Sequence, residues 1–310
     1  MRRSAHDGGR RGVCFGYEVR SELPFGYLRA GSGEPLQVRE ATEPGRSSRG
    51  EPIMHWHSVG GLPLEARLFE EDSRFAFWIE PLGWFEIDPD EPTITVPADV
   101  NPILREQRMW GVPTALCMLE RGDLPIHASA VDIDGSAVLF GAPAHFGKTT
   151  LAAAFLRAGH RVLSEDLSCC RASPSPLIFP GPAGLRIRPD VFRQLDFPGT
   201  RVLEQEPHRI HLAIDEGRRG DGLPVPLRAV VLLRETKDDL LMERVPAGEA
   251  MRDVWTLVFK LPTDSARAAS FEAIASLLAH VPVHNLHRPL RIDRLPDVID
   301  LVVDTVSQDG

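Results

Sequence analysis

Short alternations of apolar and polar residues fill the first third of the chain. Between Val13 and about Pro97, the runs 13–19, 53–57, 75–79 and 93–96 are rich in β-branched and aromatic residues, and Gly, Pro and acidic clusters separate them. A period of two over such short runs predicts β-strands. Residues 13–100 therefore read as a β-rich accessory domain, with Trp78 and Trp84 expected in its core. The Arg- and Gly-rich residues 1–12 read as a disordered lead-in, and residues 41–51 as a flexible loop. From Asn101 to about Glu120 the apolar positions Ile103, Leu104, Met109, Trp110, Ala115, Leu116 and Leu119 recur at helical spacing, which predicts one helix and a domain boundary just before it.

Beyond residue 120 the pattern changes to strands alternating with helices, so residues 101–310 read as an α/β domain whose sheet has crossovers. Residues 126–133 and 136–140 are strand-like, and Asp134-Gly135 between them is a two-residue hairpin turn. The loop 141–150 follows, then the Ala- and Leu-rich stretch 151–158, apolar nearly all round and closed by Gly159, which predicts a buried helix. Arg161-Val162-Leu163 forms a short strand ending at Ser164-Glu165-Asp166.

Composition narrows the function classes. The chain has 310 residues, 43% hydrophobic and 25% charged, and its longest apolar runs, such as 229–233, fall short of the roughly 20 needed to cross a bilayer. A soluble, cytoplasmic protein without a membrane partner is expected. The net charge of −9 argues against a nucleic-acid partner, because phosphate-backbone binders concentrate positive charge. The four cysteines lack metal spacing and read as reduced thiols. The histidine pairs His208/His211 and His284/His287 lie in strand-like stretches, where i and i+3 point to opposite faces, so a structural metal is not expected there. Among 35 basic residues only Lys148, Lys237 and Lys260 are lysine. A retained lysine marks a place where a compact ammonium is needed.

Lys148 lies in that kind of place. Strand, glycine-bearing loop, Gly147-Lys148-Thr149, helix is the order that a nucleoside triphosphate requires: helix-start N–H groups cradle phosphates, the lysine neutralises their charge, and the threonine hydroxyl serves Mg²⁺. The nucleotide-binding set is Ala142, His145, Phe146, Gly147, Lys148, Thr149 and Thr150. The loop departs from the G-x-x-x-x-G-K-[ST] pattern at its first position, where Ala142 stands, and an alanine forced to positive φ there is strained. Glu165 and Asp166, at the end of the next strand, are placed for metal binding and for accepting the proton of an attacking hydroxyl.

The run from His127 to Gly135, the loop 142–152 and the triplet Ser164-Glu165-Asp166 resemble the bacterial HPr kinase/phosphorylase catalytic domain, with later stretches at 184–189 and 281–296 also similar. The resemblance implies an α/β fold made of a P-loop kinase domain of that family's C-terminal type, preceded by the β-rich accessory domain. It implies Mg²⁺ bound by Thr149 and Asp166, Glu165 as the base for the acceptor hydroxyl, and His127 as a second catalytic residue supporting the base or the phosphoryl group. Arg186 or Arg209 is the candidate transition-state cation. The expected activity is transfer of the ATP γ-phosphate to a Ser-like hydroxyl of a peptide or protein, such as a ribosomally made peptide. A homo-oligomer is compatible with it. The rivals are a nucleotide-binding regulatory or scaffold protein with a degenerate loop, and a small-molecule kinase.

Overall fold

The computed structural model describes residues 11–42, 50–58 and 63–308. Arg11 and Gly12, expected in the lead-in, belong to the first strand; the rest of the lead-in and most of the loop predicted at 41–51 lie outside the described residues. The accessory region supplies β1 (Arg11–Cys14), β2 (Tyr17–Arg20), β3 (Glu34–Glu40), β4 (Met54–Trp56), β5 (Ala66–Glu71), β6 (Arg74–Ile79), β7 (Gly83–Asp88) and β8 (Thr93–Val96). They form one sheet in the order β1-β2-β3-β8-β7-β6-β5-β4. Its pleat sorts the aromatics: Phe77 stands opposite Phe85 in register and both face the core, whereas Trp78 stands opposite Trp84 one residue along. The two tryptophans are half-buried on the other face, which corrects their expected place in the core. Period-two alternation dictates this once Phe77 and Phe85 point inward.

The single helix expected over 101–120 is two, α1 (Pro102–Met109) and α2 (Val112–Glu120). Gly111, at φ −92° and ψ −124°, leaves the helical region before Pro113, whose ring and missing N–H forbid continuous helix. Asn101 Oδ1 caps α1 by accepting from the N–H groups of Ile103 and Leu104 at 2.9 and 3.2 Å. The sequence boundary at 100/101 falls between β8 and α1. One apolar cluster spans it, joining Phe15, Phe77 and Phe85 to Met109, Trp110 and Leu116.

The remainder comprises β9 (Leu124–Ile126), β10 (Ala128–Ile133), β11 (Ser136–Gly141), α3 (Lys148–Arg157), β12 (Arg161–Ser164), β13 (Ser168–Arg171), β14 (Leu177–Phe179), β15 (Gly184–Ile187), α4 (Pro189–Phe192), β16 (Thr200–Gln205), β17 (Ile210–Ile214), α5 (Glu216–Arg219), β18 (Val225–Glu235), β19 (Leu241–Val245), α6 (Ala247–Leu257), α7 (Asp264–His280), β20 (Val283–Arg288) and α8 (Leu295–Gln308). The fold is mixed α/β. Its main sheet runs β12-β10-β11-β18-β14-β13-β9, with β20 between β18 and β19, and β15-β17-β16 form a small separate sheet. The crossovers expected of a parallel sheet are confined to β11/β18 and β18/β20; the other pairings in this sheet are antiparallel. The cause is local, because the Asp134-Gly135 turn, with both residues at positive φ, folds β11 back on β10. Helix α3 is buried as predicted, with Phe155 against Phe140 at 5.3 Å and Leu151 and Ala152 in the cluster that α8 closes with Val298 and Val302. All four cysteines are free and buried. Among the described residues no helix is long and apolar enough to cross a membrane.

Two buried charged groups tie the accessory segment to the rest. The Arg29 guanidinium, 2% exposed, donates to the carbonyls of Gly181, Val162 and Leu163 at 2.9, 2.8 and 3.1 Å and also to that of Arg219. Glu106 accepts from the N–H groups of Gly26 and Tyr27 at 2.6 and 3.1 Å and from Trp110 Nε1 at 3.2 Å. Burial nevertheless pushes the Glu106 carboxyl up to about 7. Between the ordinary glutamate value and that one, the folded chain holds a proton that the unfolded chain has released, so Glu106 makes stability fall as pH rises from about 5 to about 8. The thermal midpoint of wild type relative to Glu106→Gln is therefore expected to shrink across that window; a difference independent of pH would refute the assignment.

Candidate functional site

The candidate site lies along one edge of the main sheet. Strand β10 runs opposite to both β11 and β12, so its start beside His127 and the ends of β11 and β12 fall together; Ala128 pairs with Gly141, and Ala130 with Ser164. The chain leaves β11 into the loop 142–147 and leaves β12 into Glu165 and Asp166. Strands β18 and β20 run parallel to β11 in turn, which brings Arg288, the last residue of β20, to the same edge.

The loop closes on its own lysine. Lys148, 6% exposed, donates from Nζ to the carbonyls of Ala142 and Pro143 at 2.8 and 3.1 Å. Its ammonium is pushed down by burial and drawn up by Asp166 and Glu165. Gly147, at φ 75°, precedes α3 and offers no side-chain cap, so the first-turn N–H groups of α3 lack a side-chain partner at that position. The strain expected at Ala142 is not there. His145 carries it instead, at φ 69°, because the chain reverses just before the helix rather than just after the strand. Phe146 packs against the core, and its carbonyl accepts from Arg288 Nη2 at 2.7 Å. A Cβ at position 147 would lie 2.9 Å from the same Arg288 nitrogen. Thr150 follows on the first turn, half-buried.

The acids are joined by one arginine. Arg186, on β15, donates from Nε to Glu165 Oε2 at 2.9 Å and pairs through Nη2 with Asp166 Oδ2 at 2.7 Å. Glu165 Oε1 accepts from Thr149 Oγ1, and Asp166 Oδ1 lies 3.2 Å from His127 Nε2. Of the predicted residues, Thr149, Glu165, Asp166 and His127 are linked side chain to side chain, in a different pairing from that drawn on the sequence: Thr149 touches Glu165 rather than Asp166, and His127 touches Asp166. Glu165 is the more enclosed, at 10% side-chain exposure against 47% for Asp166. Burial raises the Asp166 carboxyl, but Arg186 and His127 outweigh it and hold the group well below the usual carboxylate range. Burial likewise acts to lower the Arg186 guanidinium, and the two acids overcome it to raise it.

The acids and Arg186 also line a cleft of about 80 Å³ walled by Phe15, Tyr27, Trp110, Pro182 and Leu185. None of its described walls comes from the loop 142–150. Sequence reasoning left Arg186 and Arg209 undivided; Arg186 hydrogen-bonds to Glu165 and pairs with Asp166. It missed Arg288, whose signal was an arginine ending a strand parallel to the one before the loop. Histidines 211 and 287 pair with Glu206 and Glu243 at 2.7 and 3.0 Å rather than with His208 and His284.

No protein-family model matches the chain, and a comparison with curated proteins returns no match. Among solved structures the chain is similar to the Hpr(Ser) kinase/phosphatase from Coxiella burnetii, with 14% identity and a TM-score of 0.33, over 60% of this chain and 99% of that one.

Replacing Arg186 by Met leaves two adjacent carboxylates with no shared cation. Screening at the open Asp166 reduces the usual cost of breaking a buried pair, so a loss of about 2 kcal/mol is expected near neutral pH in urea unfolding. Because the folded Asp166 titrates below the unfolded value, its contribution is present above that value and lost as pH falls through the folded one. The deficit of Arg186→Met is therefore expected to narrow below about pH 3, and a constant deficit would contradict the depressed Asp166.

Proposed function

We propose that the chain is an ATP-dependent phosphotransferase that moves the γ-phosphoryl group to a Ser-like hydroxyl of a peptide or protein. The observation that carries this reading is the convergence at one sheet edge of the uncapped start of α3, the buried Lys148, and two carboxylates bridged by Arg186. The first-turn N–H groups and Lys148 hold the phosphates, with the ammonium leaving the Ala142 and Pro143 carbonyls for phosphate oxygens. Ala142, His145 and Phe146 shape the loop through their backbone, and Thr150 adds to its helical wall.

Thr149 and the two carboxylates are hard oxygen donors, the set that Mg²⁺ takes. In this reading Thr149 and Glu165 hold it. Mg²⁺, when bound, neutralises charge on the phosphates. Asp166 is the more open acid and faces the acceptor, with His127 orienting it, which reverses the roles assigned to the acids from sequence. The acceptor oxygen attacks the γ-phosphorus, the bond to the bridging oxygen breaks, ADP departs, and the acceptor proton passes to Asp166. Arg186 keeps Asp166 ionised until then and places positive charge beside the reacting groups. The cleft beside the acids supplies the acceptor side; at about 80 Å³ it is smaller than the roughly 150 Å³ that accommodates benzene, which suits a small side chain better than a base or a sugar.

One observation favours a second reading. Lys148 is satisfied by its own loop carbonyls beside a strained His145, a closed loop that supports the reading of a nucleotide-binding scaffold without turnover. Calorimetry with ATP·Mg²⁺ is expected to show binding that Lys148→Ala weakens at least about tenfold, or 1.4 kcal/mol; equal affinity in the variant would remove the phosphate loop from the site. With γ-labelled ATP and Ser-containing peptides, Asp166→Asn is expected to abolish transfer while retaining nucleotide affinity. Full transfer in that variant would return the base to Glu165, and binding without any transfer would favour the scaffold.

A further inference from the structure

We propose that His55, His57 and Glu65 form a binding site for a divalent transition-metal ion of the zinc class, at the edge of the accessory sheet. The local sequence places the ligands. His55 and His57 are two residues apart along β4 and its extension, so their side chains share a face. Antiparallel pairing sets His55 opposite Arg67 and Trp56 opposite Ala66, and the same register carried one step on sets His57 opposite Glu65.

The side chains converge accordingly. The two imidazole rings lie 4.1 Å apart between centroids. His55 Nε2 is 3.7 Å from Glu65 Oε2, and His57 Nδ1 is 3.8 Å from Glu65 Oε1. All three donor atoms fall within 4.8 Å of one another, and among the described residues this is the one group of three such side chains that does so. Donors about 2.0 Å from a tetrahedral ion stand roughly 3.3 Å apart, so the gap between His57 Nδ1 and Glu65 Oε1 closes with a shift of a few tenths of an ångström, and His55 Nε2 reaches the same ion by a side-chain rotation that brings it from beside Oε2 toward Oε1.

The surroundings suit the ion. Arg67 Nη2 donates to Glu65 Oε2 at 2.6 Å while its guanidinium lies over the Trp78 ring at 5.5 Å, so the carboxylate is oriented from behind and Oε1 is left to ligate. Two imidazole nitrogens and one carboxylate oxygen select zinc, copper or nickel over Mg²⁺ and Ca²⁺, which take oxygen donors. Three protein ligands leave a fourth position for water or an exchangeable anion. The ion would clip β4, the end strand of its sheet, to β5.

The test uses the full chain, purified with chelator and then titrated with ZnCl₂ by calorimetry and with CoCl₂ by visible absorption. One ion per chain is expected, with the cobalt spectrum of a tetrahedral nitrogen- and oxygen-ligated site and no displacement by excess Mg²⁺. His57→Ala, at an exposed position, and Glu65→Gln, at a half-buried one, are expected to weaken Zn²⁺ binding at least about tenfold while leaving the far-ultraviolet circular dichroism unchanged. Lys148→Ala is expected to bind Zn²⁺ as wild type does. Absence of stoichiometric binding in the folded protein, unchanged affinity in both His57→Ala and Glu65→Gln, or cobalt–thiolate absorption would each overturn the assignment.

Discussion

Two carboxylates on consecutive residues repel each other, and Glu165 and Asp166 stay side by side at the end of β12 because the Arg186 guanidinium binds an oxygen of each. Much of the candidate site follows from that geometry. With Glu165 turned toward the start of α3 it accepts from Thr149, and with Asp166 turned outward it meets His127. The small sheet β15-β17-β16 thereby acquires a reason to pack against the main sheet, since its first strand carries the cation.

The loop is under the opposite kind of control. Its carbonyls are held by two cations, Lys148 at the start of α3 and Arg288 at the end of β20, and its tightest bend falls on a histidine rather than a glycine. A non-glycine residue in the left-handed region costs about 1 kcal/mol and persists only where neighbours hold it. Here the holding groups are two buried cations. Burial lowers the Arg288 guanidinium to about 10, yet it stays charged at neutral pH, so the loop is pinned by charge and hydrogen bonds as well as by packing.

How much of this could be read from the chain varies with the range of the interaction. The hairpin at Asp134-Gly135, the buried α3 and the short β12 are set by nearest neighbours, and the sequence displays them openly. The split of α1 from α2 was also written locally, in Gly111 and Pro113, but the apolar period running through it masks the break. The division of labour between Glu165 and Asp166 was not legible, because adjacent residues after a strand turn to either side according to what awaits them, and Arg186 comes from another sheet. Trp78 and Trp84 show a simpler failing: large aromatics suggest a core until the strand's alternation fixes which face is inside. The His55 and His57 pair was visible as a same-face spacing, whereas Glu65 becomes its neighbour only through the β4/β5 register.

Arg29 gives the architecture a property that no strand or helix has by itself. Strand β12 ends the main sheet, and two of its carbonyls, those of Val162 and Leu163, are taken by a side chain from the accessory segment. The Arg29 side chain, together with the Gly181 N–H that also donates to the Leu163 carbonyl at 2.8 Å, occupies acceptors that an edge strand would otherwise offer to a foreign chain. The accessory segment is therefore a stopper as well as a neighbour: it takes the Val162 carbonyl and shares the Leu163 carbonyl of the strand that leads into the acids.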